Sequence, residues 1–150
     1  MQIQFVKFDR LFLELSWKWL NDSEIRELTC TPVFTKEDQE EWFKSLDIMT
    51  DYKIYGVKAD NIPIGVCGIK NLTNEDCEYW GYVGDKSFWG RGIGKQLISK
   101  MEEIARNYGL KSVWLKVSQT NVRARNLYSK MSHILYKTDK GMLYMRKDLY

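Results

Sequence analysis

Hydrophobic and polar positions change period several times along the chain, and the changes mark out its elements. Near the start, Ile3 to Phe8 (IQFVKF) alternates and predicts a strand. From Leu11 to Leu28 the apolar residues recur at helical spacing. The pattern breaks at Asn21-Asp22, where Asp22 or Ser23 is placed to cap a second helix. Thr35-Lys36-Glu37-Asp38 resembles a capping box and opens a helix through Ser45. The period then becomes two. Tyr52 to Ala59 and Ile62 to Ile69 predict strands, with Asp60-Asn61 as a tight hairpin connection. Glu78 to Val83 predicts a third strand, and the glycine-rich run Gly84 to Gly94 reads as a loop.

From Gly92 onward the pattern is helical again. Ile93, Leu97, Ile98, Met101, Ile104, Ala105 and Tyr108 share one face, and Gly109 is a C-terminal stop. Ser112 to Val117 predicts a strand. Asn121 to Lys130 predicts a helix with Ala124, Leu127, Tyr128 and Met131 on one side. Two short strands follow, around Ile134 to Tyr136 and Met142 to Met145. Proline occurs only at Pro32 and Pro63, and no linker or repeat divides the chain. The expectation is one domain over residues 1–150, in the α/β (α+β) class, with helices packed on a mixed sheet.

Composition narrows the function classes. The net charge of +3 is too small for the dense basic stripe of a nucleic-acid binder. No segment is apolar for the roughly 18 residues that a membrane span needs, and the opening residues do not resemble a secretory leader. The 3 cysteines include no CxxC pair and there is 1 histidine, so neither a disulfide framework nor a metal site is expected. A reducing, cytoplasmic location fits this usage. The 6 Trp and 9 Tyr exceed the needs of a core this size, which points some of them to a pocket or an interface.

The most informative chemistry lies in Trp89-Gly90-Arg91-Gly92-Ile93-Gly94-Lys95, between a strand and a long amphipathic helix. Unpaired N–H groups at a helix start and the positive dipole end favour a phosphate, and glycine permits its close approach. Arg91 and Lys95 can add charge. A Walker loop fails because Gln96 follows Lys95. A dinucleotide fingerprint fails because the glycines run GxGxG and no acidic residue closes the next strand.

The segment resembles the coenzyme A pyrophosphate loop of the GNAT acetyltransferase superfamily, written Gln/Arg-x-x-Gly-x-Gly/Ala. Gly92 and Gly94 fill the glycine positions, and Trp89 replaces the usual Gln or Arg. Roughly thirty residues on, Asn121, Ala124, Leu127 and Tyr128 match the family's Asn…Ala-x-x-Leu-Tyr helix, while Ser132-His133 replaces its Gly-Phe. Trp19-Leu20-Asn21-Asp22-Ser23-Glu24 resembles the Trp-Arg-Asn-Asp-x-Glu opening of one branch, with Leu20 in place of Arg. That branch includes ribosomal-protein and nucleotide-sugar amine N-acetyltransferases. The resemblance implies a twisted sheet of six or seven strands, helices on both faces and a splayed central strand pair.

It also implies roles. Acetyl-CoA would be the co-substrate, held by Tyr82, Val83, Gly84, Trp89, Gly90, Arg91, Gly92, Ile93, Gly94, Lys95, Asn121 and Asn126. Tyr128 would be the general acid for the departing thiolate. Glu78, fourteen positions before Gly92, would be the general base. Trp19, Asn21, Arg26 and Trp42, with Phe43 beside them, are the acceptor-side candidates. Each has a plain structural alternative: Tyr128 as core aromatic, Asn121 as helix cap, Glu78 as strand carboxylate, the tryptophans as helix packing. His133, Cys67 and Cys77 are expected to be structural. The activity implied is direct acetyl transfer to a primary amine, with a nucleotide-linked amino sugar favoured. A protein N-terminus is the alternative, and a polyamine or aminoglycoside would want an acidic groove such as Glu37, Asp38, Glu40 and Glu41. A non-catalytic CoA-binding module is the competing class. The partner is a small-molecule amine, with no nucleic acid and no membrane, and a homodimer is the candidate assembly.

Overall fold

The computed structural model describes residues 1–150. Its elements follow the period changes closely. Strand β1 (Ile3–Lys7) leads into helices α1 (Arg10–Leu20), α2 (Ser23–Thr29) and α3 (Lys36–Ser45). The break between α1 and α2 is made by polar side chains. Asn21 Nδ2 donates to the Trp17 carbonyl (2.6 Å), and Asp22 accepts from the N–H groups of Glu24 and Ile25. Thr35 and Asp38 form the reciprocal capping box that opens α3.

Strands β2 (Lys53–Ala59) and β3 (Ile62–Lys70) form a hairpin. Asp60 and Asn61 both take positive φ (48° and 69°), as the two-residue turn that matches strand twist requires. Strand β4 (Asp76–Val83) begins two residues before the expected Glu78. The extra residues carry no alternation; Asp76 is held by Thr73 and by Arg146 (3.0 Å). The expected loop contains one turn of 3-10 helix, Lys86–Phe88, capped by Asp85. Helix α4 (Ile93–Asn107), strand β5 (Ser112–Ser118), helix α5 (Val122–Lys130) and strands β6 (Ile134–Asp139) and β7 (Met142–Asp148) complete the chain. Both last strands run longer than their pattern suggested: β6 is exposed at every position and has no buried face to write an alternation, and the buried alternation of β7 ends at Met145.

The seven strands form one sheet in the order β1-β2-β3-β4-β5-β7-β6. All neighbours are antiparallel except β4 and β5. Helices cover both faces. On one, Leu97, Ile98, Met101 and Ala105 of α4 pack with Val57, Ile64, Cys67, Ile69, Cys77, Val113 and Leu115. On the other, Phe12, Leu13 and Trp19 of α1 and Ile25 of α2 pack with Phe8 and Val66. Each of the Val, Leu, Ile, Phe and Met side chains among them, fully buried, contributes about 1.5–3 kcal/mol. Cys67 and Cys77 are buried packing groups, as expected.

One expected core position is wrong. Tyr108 lies outside the core at 52% exposed, with the Lys53 ammonium over its ring. Glu102 is buried instead, at 4% exposed, because Lys147 of β7 reaches its carboxylate at 2.9 Å.

The feature that positions the site is the β4–β5 seam. Only Asp76, Cys77 and Glu78 pair, with Ser112, Val113 and Trp114. Beyond them the strands part. β4 stays paired to β3 as far as Val83, and β5 to β7 as far as Ser118. A wedge is left with unpaired backbone on both walls.

Candidate active site

At the mouth of the wedge lies the glycine loop. Gly90 and Gly92 have φ of 75° and 78°, the left-handed region that other residues enter at a cost. Gly92 is the N-cap of α4, and no side chain caps that helix. The N–H groups of its first turn therefore have no intrahelical acceptor and face outward as a set. A side chain at Gly94 would meet Leu127 of α5 at 3.1 Å, so this glycine seats α5 against the loop. The loop also gains a residue not singled out in the sequence. The Arg123 guanidinium lies 3.2 Å from where a Gly90 Cβ would stand, adding positive charge. Arg123 precedes the motif residue Ala124 directly, and only the packing of α5 on the loop reveals its place. Arg91 lies over the Phe88 ring at 5.0 Å, and Lys95 is in the first turn of α4.

Trp89 turns inward. Its Nε1 donates to the Val83 carbonyl (2.8 Å), bracing the loop against the end of β4. The ladder assigns the remaining backbone groups. Gly84 N–H donates to Ile64 of β3 (2.7 Å), and alternation along an antiparallel pair then turns Tyr82 toward β3 as well. The groups that face the wedge belong to Val83 and to Gly81, which the sequence did not single out. A side chain at Gly81 would meet the Tyr79 hydroxyl at 2.7 Å.

Tyr128 enters from α5, half-buried, with its ring edge-on to Tyr79 at 6.4 Å between centroids. Burial pushes its phenol up to about 12. The helix end behind it is a double closure. Ser132 N–H donates to the Ser129 carbonyl (3.1 Å) and His133 N–H to the Tyr128 carbonyl (2.9 Å), with Ser132 at φ 73°. Gly109 closes α4 in the same way. Ser132 thus does what a glycine does at this position. Asn121 takes the cap role: its Oδ1 accepts from Ala124 N–H (3.2 Å) and its Nδ2 donates to Leu28 of α2 (3.4 Å). Asn126 is exposed on α5.

Strand alternation puts Glu78, Trp80 and Tyr82 on the face opposite Cys77 and Tyr79. Glu78 is 3% exposed and accepts from Asn71 Nδ2 at 2.9 Å. Asn71 reaches it from a left-handed conformation (φ 52°) just after β3. Burial, then the Glu78 charge, raises the Tyr52 phenol well above its usual range. Across the seam Trp114 faces Glu78 and stacks on Tyr144, with Lys137 over the Tyr144 ring at 4.8 Å.

On the Glu78 face, under α1 and α3, a cavity of about 300 Å³ is lined chiefly by Phe8, Leu20, Phe34, Trp42, Trp80 and Tyr82. Two polar atoms are buried there without a partner, Tyr82 Oη and Trp80 Nε1; the Tyr52 phenol lies near the latter without hydrogen-bond geometry. Of the acceptor-side candidates, Trp42 lines this cavity. Trp19 does not; it packs on Gly84, where a Cβ would fall 2.1 Å from the indole, and edge-on to Tyr82. Asn21 and Arg26 bond to one another (2.7 Å) and tie the α1–α2 corner, with Arg26 Nε also donating to the Leu20 carbonyl. Phe43 supports the cavity wall through Phe8. Of the acidic run on α3, Asp38 lines the cavity and closes the capping box, and Glu40 pairs with Arg10 on the surface. No helix is long and apolar enough to cross a membrane.

A wedge between parallel strands, opening onto an uncapped helix start, is the arrangement that the resemblance to acyl-CoA-dependent transferases implies, and the comparisons agree. The sequence pattern of the Acetyltransferase (GNAT) family matches residues 17–133, and the chain belongs to that family. It is 25% identical over 142 residues to the acetyltransferase PseH of Campylobacter jejuni, covering 94% of this chain and 88% of that one. The crystal structure of Campylobacter jejuni N-acetyltransferase PseH with acetyl coenzyme A superposes with a TM-score of 0.77 at 22% identity, covering 98% and 99% of the two chains. A domain from Methanocaldococcus jannaschii gives 0.87 at 17% identity, with 98% of each covered. Spermidine N-acetyltransferase from Vibrio cholerae gives 0.86 at 16% identity, covering 99% of this chain and 96% of that one. The protein is an acetyl-CoA-dependent N-acetyltransferase with a single α/β fold of seven strands.

Proposed function

We propose that the acceptor is the primary amine of a nucleotide-linked amino sugar, and that it meets the thioester from the Glu78 face of the wedge. The observation that carries this reading is the aromatic cavity on the Glu78 face of β4. Its walls are chiefly rings, with Ser16, Thr31, Asp38 and Gln39 also in the lining, and a phenol and an indole N–H are buried beside it without partners. Such a pocket suits a ring that stacks and accepts a hydrogen bond. To a polycation it offers one carboxylate, Asp38, and that one is already engaged in the α3 capping box. The opening motif Trp19 to Glu24 supports the same branch, as does the likeness to PseH.

The roles follow from the two faces of β4. Bound acetyl-CoA supplies an activated acetyl group. The first-turn N–H groups of α4, with Arg91, Lys95 and Arg123, hold its pyrophosphate. Gly81 and Val83 offer N–H groups to the pantetheine arm and the acetyl carbonyl, where a well-aimed donor contributes about 2.7–4 kcal/mol to the transition state. Glu78 removes a proton from the ammonium, directly or through water, because only the neutral amine attacks. Tyr128 Oη, on the other face, gives its proton to the departing thiolate. A phenol held at about 12 stays protonated at neutral pH, which an acid requires.

The test is a panel of acceptors with thiol release as readout: a nucleoside-diphosphate amino sugar, spermidine, an aminoglycoside and a short peptide with a free N-terminus. The reading expects kcat/KM for the amino sugar to exceed the rest by at least about 100-fold, the scale of a pocket that hydrogen-bonds its substrate. Equal or better turnover of the peptide would transfer the assignment to a protein N-terminus.

A further inference from the structure

The chain's one histidine sits where the family pattern has an aromatic hydrocarbon, and its surroundings give it work that a phenylalanine could not do. The His133 side chain is 0% exposed. Its Nδ1 is 3.2 Å from the Tyr128 carbonyl, which already receives the His133 backbone N–H at 2.9 Å. A carbonyl oxygen only accepts, so Nδ1 carries a hydrogen. Nε2 is left facing Glu102 Oε1 at 3.9 Å, and both atoms are buried with no partner. A buried polar group left without a partner is destabilising. The other tautomer only moves the conflict, because it satisfies Glu102 and sets an unprotonated Nδ1 against the Tyr128 carbonyl oxygen, acceptor facing acceptor. One added proton makes Nε2 a donor and resolves both.

We propose that His133 is a positioning residue for Tyr128, and that the His133–Glu102 pair takes up a single proton whose arrival closes the gap between them. This rests on the reading of Tyr128 as the acid. The imidazole packs on the Tyr128 ring at 5.8 Å between centres and grips its carbonyl, so both ends of Tyr128 are referenced to one side chain. Glu102 is fixed in turn by Lys147 at 2.9 Å and approached by Arg106 at 4.0 Å. These groups, with Tyr128, are the polar surroundings of the imidazole. Burial lowers the proton affinity of His133 below its ordinary value, and the Glu102 charge and Tyr128 carbonyl oppose that. Uptake therefore falls on the acid side of neutrality.

A single histidine gives a single set of imidazole resonances, which makes the test direct. Nitrogen-15 NMR of the whole protein, with and without acetyl-CoA, should show Nδ1 protonated at every pH and Nε2 protonating in mild acid. In Glu102→Gln the neutral form should persist, with the midpoint lowered by about one unit or more, the scale of a lost charge partner. Kinetics supply the second arm. His133→Phe should lower kcat at least about tenfold, as expected for displacement of a general acid, with KM for acetyl-CoA changed less than about twofold. His133→Asn, which keeps a donor for the Tyr128 carbonyl, should recover most of the loss. A neutral Nε2–H tautomer, a midpoint indifferent to Glu102→Gln, or an Asn variant no better than a folded Phe variant would each overturn the proposal. Should the Phe variant not fold, the wild-type and Glu102→Gln spectra still decide. Failure of the acid assignment shows separately, as unchanged kcat in Tyr128→Phe.

Discussion

Replacing Tyr128 with Phe removes one oxygen and tests the catalytic assignment with little structural cost. The ring stays between Tyr79 and His133, at 6.4 and 5.8 Å between centres. The helix-end hydrogen bonds use the Tyr128 carbonyl, and the variant keeps it. Stability should therefore change by less than about 0.5 kcal/mol, within the range of substitutions that break no buried contact. Chemistry should change far more. Without the acid the thiolate departs unprotonated, and a positioned acid contributes about 100- to 10,000-fold. We expect kcat to fall at least about 100-fold, some 2.7 kcal/mol of barrier, with the dissociation constant for acetyl-CoA within about threefold. The pH profile adds a sign. The phenol of the folded protein is raised to about 12, so the acid form persists through the working range and is lost only as pH climbs toward that value. The wild-type kcat should show no alkaline fall from this group below about pH 10. Thiol release, calorimetry and a melting curve on both proteins settle it. An unchanged kcat, or an alkaline limb near pH 8 that the variant loses, would refute the reasoning.

Other outcomes follow from the same geometry. Gly92→Asp places a charge at the uncapped start of α4, where no atom lies within 4 Å of the new Cβ; it should abolish acetyl-CoA binding by calorimetry while the protein stays folded. Glu78→Gln should cut kcat/KM for the amine by about 100-fold or more and leave acetyl-CoA affinity intact, and a variant with full activity would remove Glu78 as the base. Ser132→Gly relieves a left-handed serine and should raise stability by about 0.5–1 kcal/mol, read as a higher Tm. Gly84→Ala should cost about 1–3 kcal/mol, because its Cβ would fall 2.1 Å from the Trp19 indole; adding Trp19→Leu should recover part of the loss, and strict additivity of the pair would argue against contact.

The readings that came through from sequence were those whose physics is local. Asp22 capping α2, the Thr35–Asp38 box and the Asp60-Asn61 turn involve neighbours a few residues apart, so the chain spells them out. Partners distant in sequence stayed hidden. Glu102 is buried because of Lys147, 45 positions away, and nothing near Glu102 announces it. Which β4 backbone groups face the wedge depends on Ile64 bonding Gly84, a matter of register. Trp19 read as a ligand aromatic because its receptor, the bare face of Gly84, carries no side chain to advertise it. Asn21 and Arg26 read as acceptor contacts, and their hydrogen bond to each other makes them a corner brace.

The short β4–β5 seam bears on how heat and ligand act on the whole molecule. Three residue pairs join a four-stranded half-sheet to a three-stranded one, with α4 spanning the crossing. Backbone amides on the wedge walls have no rung to protect them, and their hydrogen exchange should be fast beside that of β2 and β3. An extended arm laid in the wedge acts as a temporary eighth strand, stitching the halves together. Cofactor at a hundred times its dissociation constant would then add about 2.7 kcal/mol to global stability, and exchange protection would spread along Gly81 and Val83 first.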